Sequence, residues 1–197
     1  MEGVLKEISK VFVGLNSINH SEYFIRLKNL YLEEPTNRQI IEAFSQNKVE
    51  KSLIHILTEY DLIDQINFLL EDLVISLGEY LNYKLILISL PSFPGGFTYD
   101  QIINILISRG FINKGTEINI PKENIDVTKF PLNNKKKHIL VFLDDLKILV
   151  KISFKEDMED GYFIFYNNLC QRNTRENKIQ KISKVFKDTY INLKKNT

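Results

Sequence analysis

Tryptophan is absent from the 197 residues, cysteine and alanine occur once each, and only five prolines and eight glycines punctuate the chain. The single cysteine, Cys170, excludes an internal disulfide framework and fits a reducing compartment. Long apolar runs are missing too: stretches such as Leu85 to Leu90 are far too short to span a bilayer, so no membrane contact is expected. The first seven residues carry three charged side chains and no long apolar stretch, and no secretory signal is expected. These absences predict a soluble intracellular protein, cytoplasmic or nuclear. Neither sign of charge dominates, since 26 Lys+Arg stand against 25 Asp+Glu.

What is present is skewed. Ile occurs 27 times, Lys 21 times and Asn 19 times, against five Arg, the usage expected of an AT-rich genome, so abundant lysine is not by itself a functional sign. The charges are also unevenly placed. Residues 1–100 hold 8 Lys+Arg and 14 Asp+Glu, whereas residues 171–197 hold 8 and 2. An acidic front and a basic tail predict internal pairing or two different contact surfaces. With 44% apolar residues, the chain has material for one good-sized core or two small ones.

The segment His138 to Phe154 decides the architecture. Ile139 to Leu143 is a continuous apolar run, the mark of a strand covered on both faces, and Ile148, Val150, Ile152 and Phe154 then alternate with Lys147, Leu149, Lys151 and Ser153. Asp144-Asp145 between them suits a hairpin turn. Lys84 to Leu90 reads as a further strand, Pro91 to Gly96 as a loop, and Tyr162 to Tyr166 as an aromatic strand.

The first eighty residues carry helical spacing instead. Val4 to Leu15 forms one stripe; Asn19 with Glu22, Thr36 with Gln39, and Asn47 with Glu50 are capping signatures that open three more helices, the first of them stopped by Pro35. Asp61 is expected to cap the longest, whose seam runs Ile63, Ile66, Leu70, Leu73, Leu77, Leu81. Thr98 with Gln101 opens a helix that ends at Gly110, and a last amphipathic helix runs from about Arg175. The predicted fold is α+β, an N-terminal antiparallel helical bundle over residues 1–82, then a small, mostly antiparallel sheet flanked by two helices over residues 83–197, with a single domain as the alternative.

Candidate chemistry is sparse. Lys84 to Thr98 has the strand, glycine-loop, helix order of a phosphate-binding loop, and Ile139 to Asp145 has the form of the strand that presents a magnesium-binding acid. The match is degenerate, with Pro91 where the first glycine belongs and Phe97 where the lysine belongs. Asp145-Leu-Lys147 spells the acid-x-lysine of many metal-dependent nucleases, and Asp126 would supply the earlier acid. These readings make Asp126, Asp144, Asp145 and Lys147 an enzymatic alternative, set against a plain hairpin turn. Glu156 to Gly161 has the acids of a calcium loop, but Met158 stands where an oxygen ligand is required and Asn167 where the bidentate Glu belongs. His20, His55 and His138 lack metal-ligand spacing, and Cys170 has no identifiable base. No cofactor is expected.

Basic residues offer a surface instead. Lys135, Lys136 and Lys137 form a short run, and Arg172, Arg175, Lys178, Lys181 and Lys184 head the terminal helix. Lysines at every third position drift by about 60° per step, so they fan over the polar half. That surface fits nucleic acid, a partner, or the acidic helical half of this same chain. The favoured expectation is a non-enzymatic protein-interaction protein, a regulatory or scaffold subunit with a protein partner, and nucleic-acid binding is the alternative. Oligomeric state is left open by the sequence.

Overall fold

The computed structural model describes Lys6 and residues 13–91, 99–120, 138–155, 181, 182, 184, 185 and 187–196. The protein is α+β and divides into two compact units, Met1–Asn82 with Gly161–Thr197, and Tyr83–Asp160. Among the described residues no helix is long and apolar enough to cross a membrane.

The first unit is helical. A short 3-10 turn, Val13–Ser17, leads to α1 (His20–Leu32), α2 (Asn37–Ala43), α3 (Lys48–Glu59) and α4 (Ile66–Tyr80). The expected first helix over Val4 to Leu15 lies largely outside the described residues. Each of the three capping signatures starts a helix where it stands. Asn19 accepts from the Glu22 N–H, Thr36 and Gln39 complete a reciprocal box, and Asn47 accepts from the Glu50 N–H. Replacing Thr36 by alanine removes the acceptor for an otherwise orphaned N–H and is expected to cost about 1 kcal/mol, read as a shift in the urea unfolding midpoint.

Two helix ends depart from the pattern. α1 stops at Leu32, ahead of Pro35, because Glu34 turns left-handed (φ 52°) and donates its N–H to the Tyr31 carbonyl. Asp61 is not the cap of the longest helix: it takes the same left-handed conformation (φ 55°) after α3, and α4 begins five residues later behind a 3-10 turn at Ile63–Gln65. Asp is among the residues that tolerate this conformation, so the same side chain serves a helix start or a helix end. α4 is buried nearly all round, from Leu69 through Gly78 apart from Asp72, and packs against both α1 and α2.

Residues 187–195 form α6, which belongs to this unit. The Tyr190 ring lies 5.5 Å from that of Tyr80 and 5.7 Å from that of His20, and Ile182 is buried as well. The apolar stripe of a helix is written in the sequence; the element it faces is not. Half-buried His20 has its pKa drawn below the ordinary 6.5 by desolvation. The unfolded chain then binds more protons than the folded one as pH falls through 6.5, so stability is full above that value and declines below it. His20→Phe is expected to flatten this acid-side slope between neutral and mildly acid pH, measured by urea unfolding across that range.

The second unit holds β1 (Lys84–Pro91), α5 (Tyr99–Ser108), β2 (His138–Leu143) and β3 (Ile148–Lys155). β3 is central, antiparallel to β2 and parallel to β1, so the sheet is mixed, not mostly antiparallel. The hairpin forces β2 and β3 to run oppositely, but β1 is joined to them through a crossover containing α5, and a crossover of that length permits the parallel pairing. One face of the sheet, with Ile88, Leu90, Ile139, Val141, Leu143, Val150 and Ile152, is covered by Ile102 and Leu106 of α5 and by Ile112 and Ile118.

Candidate functional site

Exposure on the opposite face changes steadily across the sheet. The register puts Leu140, Lys151 and Leu87 in one row, running from β2 through β3 to β1. Leu140 is fully buried, Lys151 is half-buried, and Leu87 is 72% exposed, the most open of the large apolar side chains described. The adjacent row repeats the trend, with Phe142 and Leu149 buried and Leu85 half-buried. Apolar surface is therefore left open on the β1 side.

Backbone pairing follows the same direction. β1 pairs with β3 over all eight residues without a bulge, and among the described residues it pairs with no other strand. A strand with one neighbour directs alternate N–H and C=O groups outward. Natural edge strands are usually blunted by brevity, internal charge, proline, a bulge or a covering element. β1 has charge only at Lys84 and proline only at Pro91, its two ends. Beside it, Ile86, Ile103 and Ile105 are partly open members of the packed side.

The hairpin acids form a second cluster. The Tyr83 hydroxyl donates to Asp144 Oδ1 at 2.9 Å, and Asn119 Nδ2 donates to Oδ2 at 2.9 Å. The Asn119 backbone exchanges both of its hydrogen bonds with Phe142 on β2. Lys147, left-handed at φ 53°, accepts from the Lys84 N–H at 2.8 Å and holds its ammonium 4.6 Å from the centroid of the Tyr83 ring. Burial, then the hydrogen bond and charge of Asp144, push the Tyr83 phenol upward, which keeps it a donor. Asp144 thus joins the residue before β1, the residue bridged to β2, and the turn before β3.

This arrangement gives the enzymatic candidates a structural setting. Both Asp144 oxygens accept hydrogen bonds, Asp145 is exposed, Lys147 lies over a tyrosine ring, and Asp126 falls outside the described residues. Among the described residues no group of three His, Cys, Asp or Glu side chains is placed to hold a metal ion. Replacing Asp144 by alanine takes the acceptor from two donors at once and is expected to cost about 2 kcal/mol, with Asp144→Asn costing less. A comparison of urea midpoints for the two variants checks it.

The basic candidates divide. Lys181 and Lys184 are helical and exposed; Lys135, Lys136, Lys137, Arg172, Arg175 and Lys178 lie outside the described residues. Further along the same helix, Lys187 pairs with Glu79 at 3.5 Å, and Lys194 donates to Asn82 Oδ1 at 2.6 Å and to the Glu79 carbonyl at 3.4 Å. Both therefore sit at the carbonyl-rich end of α4, where a cation is favoured. Part of the basic tail thus meets the acidic helical half of its own chain. His55 and Glu59 are an exposed pair 3.9 Å apart on α3. The loop 92–98, the segment 156–166 and Cys170 lie outside the described residues.

Sequence reasoning missed Leu87, Tyr83 and Asn119, and also the pairing of half-buried Arg26 with buried Glu50. Glu50 shares the helical face of Leu53 and Leu57, a visible signal of an acid turned inward, but its place three residues after Asn47 made it a capping residue. Comparison with protein-family models, with curated proteins and with solved structures finds no match to this chain.

Proposed function

We propose that this chain is a non-enzymatic interaction protein, a regulatory or scaffold subunit that joins its assembly along the outer edge of β1. The observation that carries the reading is the coincidence, among the described residues, of a strand with a single strand neighbour, its charge and proline confined to its ends, and the most exposed large apolar side chain, Leu87. Extended chains bind such edges by strand addition: main-chain hydrogen bonds supply affinity and alternate side chains supply specificity. The turn below it is held by Asp144, so the edge is presented on a braced element.

The test is a pull-down of the tagged protein from its host, with and without nuclease and at two salt concentrations, beside a Leu87→Lys variant. Recovery of a stoichiometric protein that survives nuclease and salt, and is lost with the variant, is the expected result. Recovery that Leu87→Lys leaves unchanged would overturn the reading.

The exposure of Lys181 and Lys184 favours a second reading, nucleic-acid binding by the terminal helix. Phosphate contacts release counterions, so this version requires retention that falls steeply with salt, vanishes with nuclease, and is abolished when Lys178, Lys181 and Lys184 are replaced by Glu.

A further inference from the structure

We infer that the occupant of the β1 edge is a second copy of this chain, paired antiparallel across a two-fold axis at Leu87; this rests on reading that edge as the interaction surface. About Leu87, the strand Lys84-Leu-Ile-Leu-Ile-Ser-Leu-Pro91 opposes apolar to apolar side chains at its three middle positions. With Leu87 opposite the partner's Leu87, Ile86 meets the partner's Ile88, Leu85 meets the partner's Ser89, and Lys84 meets the partner's Leu90. Directly opposed residues of an antiparallel pair share a sheet face, so this register continues each face of one sheet into the same face of the other.

Three observations favour a copy over an unrelated strand. The side chain left most exposed is the one this register places against itself, which removes the most apolar surface for the fewest contacts. The strand's only charge, Lys84, stands at one end, so two-fold pairing sets the two ammonium groups at opposite ends and opposes neither to a like charge. Among the described residues β1 has one strand neighbour, and the pairing joins the described strands of two copies in the order β2, β3, β1 followed by the partner's three in reverse.

A single strand pair is small for a stable interface, so the dimer forms in the micromolar range and dissociates on dilution. Sedimentation velocity across a concentration series tests it, using the full chain, Leu87→Lys, Leu87→Glu, and an equimolar mixture of the two variants. The expected result is reversible doubling of mass for the parent, a monomer for each variant alone, and restored dimer in the mixture, because Lys then faces Glu. Far-UV circular dichroism and urea midpoints matching the parent establish that the variants fold. A dimer untouched by either variant, or variants that stay monomeric when mixed, would overturn the proposal. So would a monomeric parent: if it still captures a protein that Leu87→Lys loses, only the choice of occupant fails, and if capture ignores Leu87→Lys, the reading of the edge fails with it.

Discussion

Arg26→Met is expected to lower stability by about 3 kcal/mol, near the bottom of the range for breaking a buried ion pair. Arg26 of α1 pairs with Glu50 of α3, whose side chain is wholly buried while that of Arg26 is about one-third exposed. The guanidinium also donates to the Ala43 carbonyl at 3.3 Å and lies 5.2 Å from the centroid of the Tyr23 ring. The second Glu50 oxygen accepts from the Gln46 N–H at 3.0 Å. Methionine preserves the apolar stem but strands the carboxylate, and one backbone donor does not replace a charge. Because Glu50 is the deeper partner, the loss should be recovered when both residues become methionine, since replacing a buried pair by apolar side chains is often neutral or favourable. Urea unfolding of the two singles and the double supplies the cycle. An Arg26→Met protein as stable as the parent would show that the carboxylate does not depend on the arginine.

Phe142→Ala is expected to cost about 4 kcal/mol, because a fully buried ring is deleted and the cavity cannot close freely. Phe142 lies on β2, bonded through its backbone to Asn119 and opposite Leu149 on β3, so backbone pairing constrains it on both sides. Leu87→Ala, on the same face of the same sheet, is expected to change stability by less than about 0.5 kcal/mol. The contrast matters more than either value. A leucine that contributes little to the fold, on a strand with one strand neighbour among the described residues, is what the proposed contact with another strand requires. Comparable urea midpoints for Phe142→Ala and Leu87→Ala would remove that support.

Much of the frame was legible from the residues. Ile139 to Leu143 is buried on both faces as its continuous apolar run requires, and it forms a hairpin with β3 across Asp144-Asp145. The capping pairs at Asn19, Thr36 and Asn47 mark true helix starts, because a side-chain acceptor three residues from its N–H is a local device. Asp61 misled because Asp suits both ends of a helix. The direction of β1 was not legible, since side-chain alternation is identical in parallel and antiparallel strands. The candidate surface was harder still. Leu87 looks like any residue of an apolar strand, and nothing in Lys84 to Leu90 says which strand stands at the edge. The basic tail was half readable: a drift of about 60° per step separates Lys187 from Lys181 around the helix, but only the fold places Glu79 beside it.

Hydrogen exchange along β1 tests the central claim most directly. Alternate amides of an edge strand point away from its neighbour and exchange freely unless another strand accepts from them. At low protein concentration the account predicts rapid exchange for the outward-pointing half of residues 85–90 and protection for the half bonded to β3. As concentration rises the outward set should become protected in the parent and stay unprotected in Leu87→Lys. Protection of that set at the lowest concentration would mean the edge is already covered within the chain. Rapid exchange at every concentration, with and without host extract, would mean that nothing binds there; either result contradicts the account.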